Sequence, residues 1–128
     1  MNNLEMLEQD MKKILIVDDS ASIRESIKQT LEDGDTTFFE CDDGAGAFAL
    51  YKQNQPNFVL MDIHMKIVDG FTAAREIRNT FPDAHIIFVT QYDNNRFREI
   101  AKSIGGSGYI LKQNLFELRE VINNPHHN

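Results

Sequence analysis

Four short apolar runs punctuate the chain at wide intervals: Ile14-Leu15-Ile16-Val17, Phe58-Val59-Leu60-Met61, Ile86-Ile87-Phe88-Val89 and Tyr109-Ile110-Leu111. They are rich in β-branched and aromatic side chains and lack polar alternation, which marks strands buried on both faces. With a further stretch they place strands near 13–17, 36–41, 58–61, 85–89 and 108–111. Between the strands, apolar residues recur at helical spacing. Ile23, Ile27, Thr30 and Leu31 mark a first helix, and Ala47, Phe48 and Tyr51 a second. Phe71, Ala74, Ile77 and Phe81 mark the third, and Phe97, Ile100, Ala101 and Ile104 the fourth. Leu115, Leu118, Val121 and Ile122 mark the fifth. Ser20 and Asn114 read as N-caps, while Gly34 and Gly105 sit where a helix C-cap wants positive φ. A strand–helix alternation with right-handed crossovers predicts an α/β fold, a five-stranded parallel sheet with helices on both faces.

All strands of such a sheet point one way, so their carboxyl ends meet along a single edge. The apolar runs stop on residues with chemistry to offer: Asp18-Asp19, Asp62, Thr90 and Lys112. Taken singly, each has an ordinary explanation as a helix cap, a turn, a strand end or a snorkelling lysine. Taken together they fall at one register after strands one, three, four and five, and strand two contributes none. Two unit charges 4 Å apart repel by about 4 kcal/mol at an effective dielectric of 20, so three converging carboxylates need an offset. Mg²⁺, a hard cation that accepts carboxylate, water and phosphate oxygens, provides one, and Lys112 another. The set suits a dianionic group arriving on one of these carboxylates, with Thr90 donating a hydrogen bond. Gly105-Gly106-Ser107-Gly108 precedes a strand rather than opening a helix, and so reads as a turn, not a phosphate cradle.

At 128 residues, 41% hydrophobic and 26% charged, the chain has the make-up of one globular domain. No apolar run approaches the roughly 20 residues that span a bilayer, so no membrane association is expected. A lone Cys41 forbids an internal disulfide and fits a reducing, cytoplasmic setting. The net charge of −7, with 13 scattered Lys and Arg, argues against direct nucleic-acid binding by this domain. Residues 1–11 read as a leader or short extra helix, 12–122 as the domain, and 123–128 as a tail. His126-His127 in that tail reads as linker or tag rather than a metal site.

Over 12–122 the chain resembles the receiver domain of two-component response regulators. The resemblance rests on Ile-Leu-Ile-Val-Asp18-Asp19-Ser, Val-Leu-Met-Asp62-Ile-His-Met, Asp69-Gly70, Val-Thr90 and Gly108-Tyr109-Ile-Leu-Lys112. It implies a flavodoxin-like, doubly wound sheet with strand order 2-1-3-4-5. It implies Asp62 as phosphoacceptor, and Mg²⁺ held by Asp18, Asp19, Asp62 and the backbone carbonyl of His64. It further implies Lys112 paired with the phosphoryl group, and Thr90 and Tyr109 as the switch pair. The expected donor is the phosphohistidine of a sensor histidine kinase or phosphotransfer protein. The expected output is a change in the surface of the fourth helix, fifth strand and fifth helix, read by a downstream protein or a second copy of the chain. Such a domain assists its own phosphorylation and dephosphorylation and is not otherwise an enzyme.

Three positions depart from the family pattern: Lys66 replaces a usual Pro, Gln91 a small residue, and Gln113 a frequent Pro. Lys66 and Gln91 flank the expected phosphoryl site and are candidate modulators of access to it. The segment Gly108-Tyr109-Ile-Leu-Lys112 without Pro, followed by Asn114-Leu115-Phe116-Glu117-Leu118, is most similar to receivers carrying a C-terminal helix-turn-helix domain. The chain could thus be the receiver portion of a DNA-binding transcriptional regulator. It could also be a receiver that works without phosphorylation. A haloacid-dehalogenase-type phosphatase is disfavoured, because Ser20 and His64 stand where that chemistry needs a second Asp.

Overall fold

The computed structural model describes residues 11–123. Its strands are β1 (Lys12–Val17), β2 (Thr36–Cys41), β3 (Phe58–Met61), β4 (Ile86–Thr90) and β5 (Gly108–Leu111). Its helices are α1 (Ala21–Leu31), α2 (Ala47–Asn54), α3 (Gly70–Thr80), α4 (Asn95–Ile104) and α5 (Leu118–Asn123). Short 3-10 segments, Gly44–Gly46 and Lys112–Glu117, lead into α2 and α5. The expected leader at 1–11 lies outside the described residues except for Met11, and the expected tail except for Asn123. Asn123 ends α5, where its side chain accepts a 3.0 Å hydrogen bond from Lys12 Nζ.

All strand pairs are parallel, in the order β2-β1-β3-β4-β5. Successive side chains on a strand point to opposite faces, and the apolar runs divide accordingly. Leu15, Val17, Val59, Met61, Ile86 and Phe88 pack against Tyr51 of α2, Phe71, Ala74 and Ile77 of α3, and Ala101 of α4. Ile14, Ile16, Leu60, Ile87, Val89 and Ile110 pack against Ile27 and Leu31 of α1 and Leu118 and Ile122 of α5. Burying one such Leu, Ile, Val or Phe side chain stabilises by about 1.5–3 kcal/mol, so both layers hold the sheet.

The helix boundaries follow their caps in most places. Ser20 Oγ accepts from the Ile23 N–H at the start of α1, and Gly105 ends α4 at φ 93°. Two expectations are corrected. Gly34 takes φ 85°, but α1 has already ended at Leu31 with Glu32 as its C-cap, so Gly34 serves the turn beyond. Asn114 is not an N-cap: it sits at a kink (φ −121°, ψ 38°) inside the 3-10 segment, and α5 begins only at Leu118. The chain tightens into 3-10 turns directly after Lys112, leaving no free helix start at Asn114 to cap.

Chain order reverses direction between β1 and β3, since β2 lies outside β1 on one side and β4 beyond β3 on the other. That reversal opens a crevice at the carboxyl ends of the two strands. Val17 is in register with Met61, so the next residues, Asp18 and Asp62, emerge side by side. Thr90 is in register with Leu111, which brings Lys112 one step beyond it.

Candidate functional site

Asp18 is 1% exposed and Asp62 5%, whereas Asp19 stands in solvent. Carboxylate oxygens of the three residues all lie within 4.8 Å of one another. Lys112 reaches in from the start of the 3-10 segment, with Nζ 3.0 Å from Asp18 Oδ2 and 3.3 Å from Asp62 Oδ1. Backbone donors hold both acidic groups: Ser20 N–H to Asp18 Oδ1 at 2.9 Å, and Ile63 N–H to Asp62 Oδ1 at 2.9 Å.

This packing leaves Asp18 Oδ2 in an unusual state. It is buried and touches the Lys112 ammonium, yet no donor among the described residues aligns with it as a hydrogen bond. A buried charged oxygen without an aligned partner is costly, and a cation among these carboxylates would supply that partner. An all-oxygen cluster, one member open to solvent, suits a hard divalent ion that keeps part of its water shell.

Electrostatics point the same way. Burial first, and then the Asp18 charge, push the Asp62 carboxyl up to about 6 despite the opposing pull of Lys112. Burial works against the Lys112 ammonium, but Asp18 and Asp62 outweigh it and hold its pKa above the ordinary lysine value. A cation bound among these carboxylates would therefore compete with a proton for Asp62 near neutral pH.

Thr90 is 1% exposed, and its Oγ1 accepts a 3.2 Å hydrogen bond from the Tyr92 N–H. Tyr109 is half-buried; its hydroxyl donates to the Tyr92 carbonyl at 2.6 Å, and the Arg98 guanidinium sits 4.4 Å above its ring. The β4–α4 loop thus holds both Thr90 and Tyr109 through one residue, Tyr92. His64 is exposed, and its ring meets Tyr92 edge-on at 4.7 Å and Phe97 at 5.6 Å. Lys66 and Gln91 are both exposed, on the loops after β3 and β4. The structure therefore brings Asp18, Asp19, Asp62 and Lys112 into one site, with Thr90 and Tyr109 alongside, joined through Tyr92.

Two supporting residues escaped the sequence reading. Arg24 of α1 donates to the Asp18 carbonyl at 2.7 Å and pairs with Glu40 of β2 at 3.1 Å. Asp43, 8% exposed, accepts from the Ala45, Ile67 and Val68 N–H groups. Those three bonds, Ala45 first, hold its carboxyl below the usual carboxylate range. The one available signal was Asp before Gly44 at the end of a strand, the pattern of a cap. Nothing local pointed to partners more than twenty positions away.

Comparison with known proteins gives a consistent picture. The sequence model of the response regulator receiver domain matches residues 14–123. The chain is 37% identical over 101 residues to the chemotaxis protein CheY of Halobacterium salinarum, covering 79% of this chain and 84% of that protein. It is 34% identical over 104 residues to the transcriptional regulatory protein YdfI of Bacillus subtilis, covering 80% of this chain and 48% of YdfI. The chain therefore spans about half the length of this regulator. A LuxR-family two-component response regulator from Aurantimonas sp. SI85-9A1 superimposes with a TM-score of 0.82 at 29% identity, over 88% of this chain and 83% of that one. Among the described residues, no helix is long and apolar enough to cross a membrane.

Proposed function

Because this chain belongs to the response regulator receiver domain family, we propose that it is a phosphorylation-controlled switch with Asp62 as the phosphoacceptor. The observation that carries this reading is the contact of one ammonium, Lys112 Nζ, with both Asp18 and Asp62 on a buried sheet edge. The donor is a phosphohistidine of a sensor histidine kinase or phosphotransfer protein. A bond forms between an Asp62 carboxylate oxygen and phosphorus, and the donor's P–N bond breaks. The imidazole departs with the electron pair and takes up a proton. Asp18, Asp19, Asp62 and the His64 carbonyl would hold Mg²⁺, which supplies charge neutralisation at the phosphoryl group when bound. Lys112, fixed between two carboxylates, is placed to share that neutralisation. Water attack on the acyl phosphate resets the switch at the same site, so the chain assists both directions of its own modification.

Propagation runs through Tyr92. Thr90 turning its hydroxyl toward the phosphoryl group gives up the Tyr92 N–H, which loosens the residue whose carbonyl holds Tyr109. Tyr109 can then follow, changing the surface of α4, β5 and α5 presented to a downstream protein or a second copy. The proposed setting is cytoplasmic, the reducing compartment that a single half-buried Cys41 fits. A second reading, the receiver portion of a DNA-binding regulator, is supported by the half-length match to YdfI.

Wild-type protein incubated with Mg²⁺ and acetyl phosphate or phosphoramidate should gain about 80 Da by intact mass, one phosphoryl group. Asp62→Asn should gain nothing, because an amide cannot form the acyl phosphate. An undiminished adduct in Asp62→Asn would remove the role from Asp62, and binding of beryllofluoride to wild type separates a working acceptor from a receiver that has lost phosphorylation.

A further inference from the structure

Strand β2 ends on Cys41 and adds nothing to the acidic site, but Asp43 just beyond it holds two separate loops. Its Oδ1 accepts from Ala45 N–H at 2.9 Å and from Val68 N–H at 3.0 Å. Its Oδ2 accepts from Ile67 N–H at 2.9 Å. The first bond caps the 3-10 segment before α2; the other two belong to the loop that leaves Asp62 and ends at α3. Gly44 makes the approach possible, since a Cβ there would come within 2.5 Å of the Val68 carbonyl oxygen. The loop is closed at its base as well, where Gly70 N–H donates to the Ile63 carbonyl at 2.8 Å. Between the base and the Asp43 contact lie His64, Met65 and Lys66.

We propose that Asp43 is a positioning residue for the phosphoryl-accepting loop, fixing from outside the site the backbone that offers the His64 carbonyl to the metal. This rests on the reading of Asp62 and Mg²⁺ above. Two carboxylate oxygens are required for the task, because three N–H groups converge on them and the Ile67 bond depends on Oδ2 alone. A capping role would ask less: Asn caps a helix start about as well as Asp. Asp43→Asn therefore separates the two roles. It keeps one acceptor oxygen for the cap and sets an NH₂ against a loop N–H.

Asp43→Asn should raise the half-saturating Mg²⁺ concentration, read by titration of amide NMR signals, by about tenfold, the scale of one lost charge-assisted hydrogen bond. Amide exchange at Ile67 and Val68 should speed up, while Leu15 and Leu60 in the buried strands keep their protection. Phosphorylation at saturating Mg²⁺ should recover most of the wild-type rate. Ile27→Val, in the opposite core layer, serves as a mildly destabilised control and should titrate like wild type. Equal Mg²⁺ titration of Asp43→Asn and wild type would overturn the proposal and leave Asp43 a cap. Wild type provides an independent check if the variant does not fold. Mg²⁺ should shift the Ala45 amide together with those of Ile67 and Val68, since one carboxylate joins them. A titration that moves Ile67 and Val68 while Ala45 stays fixed overturns the clamp alone. One in which Asp18, Asp19 and Asp62 do not move overturns the metal reading and the clamp with it.

Discussion

Asp62 is held where its charge is least welcome, buried beside Asp18, with its carboxyl raised to about 6. The folded protein therefore binds this proton more tightly than the unfolded chain, whose Asp titrates near 4. The associated stability is complete below about pH 4 and is lost as pH rises through about 6. Asp62→Asn, neutral throughout, should stabilise the metal-free fold at pH 8 by on the order of 1–2 kcal/mol, after allowance for solvent screening. The gain should shrink toward nothing near pH 4, and melts in chelator at the two pH values test it. An equal gain at both would mean that charge at Asp62 is not the cause. At this scale the clustering of Asp18, Asp62 and Lys112 was legible because a strand end fixes where its next residue points. Asp43 and Arg24 were not, because each acts on backbone groups that no sequence pattern labels.

Elements were legible to within a residue or two wherever burial on both faces forced runs of Ile, Val, Leu and Phe. The failures came where a turn replaced a helix, at Asn114 and Gly34, because hydrophobic spacing does not distinguish 3-10 turns from the first turn of an α-helix. Lys66 and Gln91 are exposed on the loops after β3 and β4, and we propose that they cover the in-line approach to the acceptor. Gln91→Ala should then speed both phosphorylation by acetyl phosphate and hydrolysis of the product by a few-fold, about 1 kcal/mol in each barrier. Stability should stay within about 0.5 kcal/mol, as for other exposed substitutions. Rates matching wild type at equal Mg²⁺ would return Gln91 to the ordinary surface.

For the molecule as a whole, the proposed metal site and the fold draw on the same carboxylates. A ligand at ten times its Kd that binds only the folded state adds about 1.4 kcal/mol. For a domain of this size that is a rise of roughly 5 °C in melting midpoint. Mg²⁺ should produce such a rise in wild type and much less in Asp19→Asn, whose side chain is exposed and spares the core. An undiminished rise would take Asp19 out of the ligand set. The parallel architecture itself was legible from alternation and crossover handedness, whereas the strand order came from family resemblance. Periodicity says which face is buried, not which neighbour a strand chooses.

Among the described residues, that order leaves β2 at the margin of the sheet, with one side of its backbone unpaired. The strand reads Thr-Thr-Phe-Phe-Glu-Cys, so Glu40 is its only charge. Unpaired edges rich in Phe and Thr are templates on which other chains can add, and a charge is the usual deterrent. Glu40 is held at that margin by Arg24 and Lys28. The same carboxylate that pairs with Arg24, the donor to the Asp18 carbonyl, thus also sets a charge on that edge. Selection for solubility and selection for signalling would meet on this one side chain, and its loss would show first in crowded, warm solution as association rather than as a silent switch.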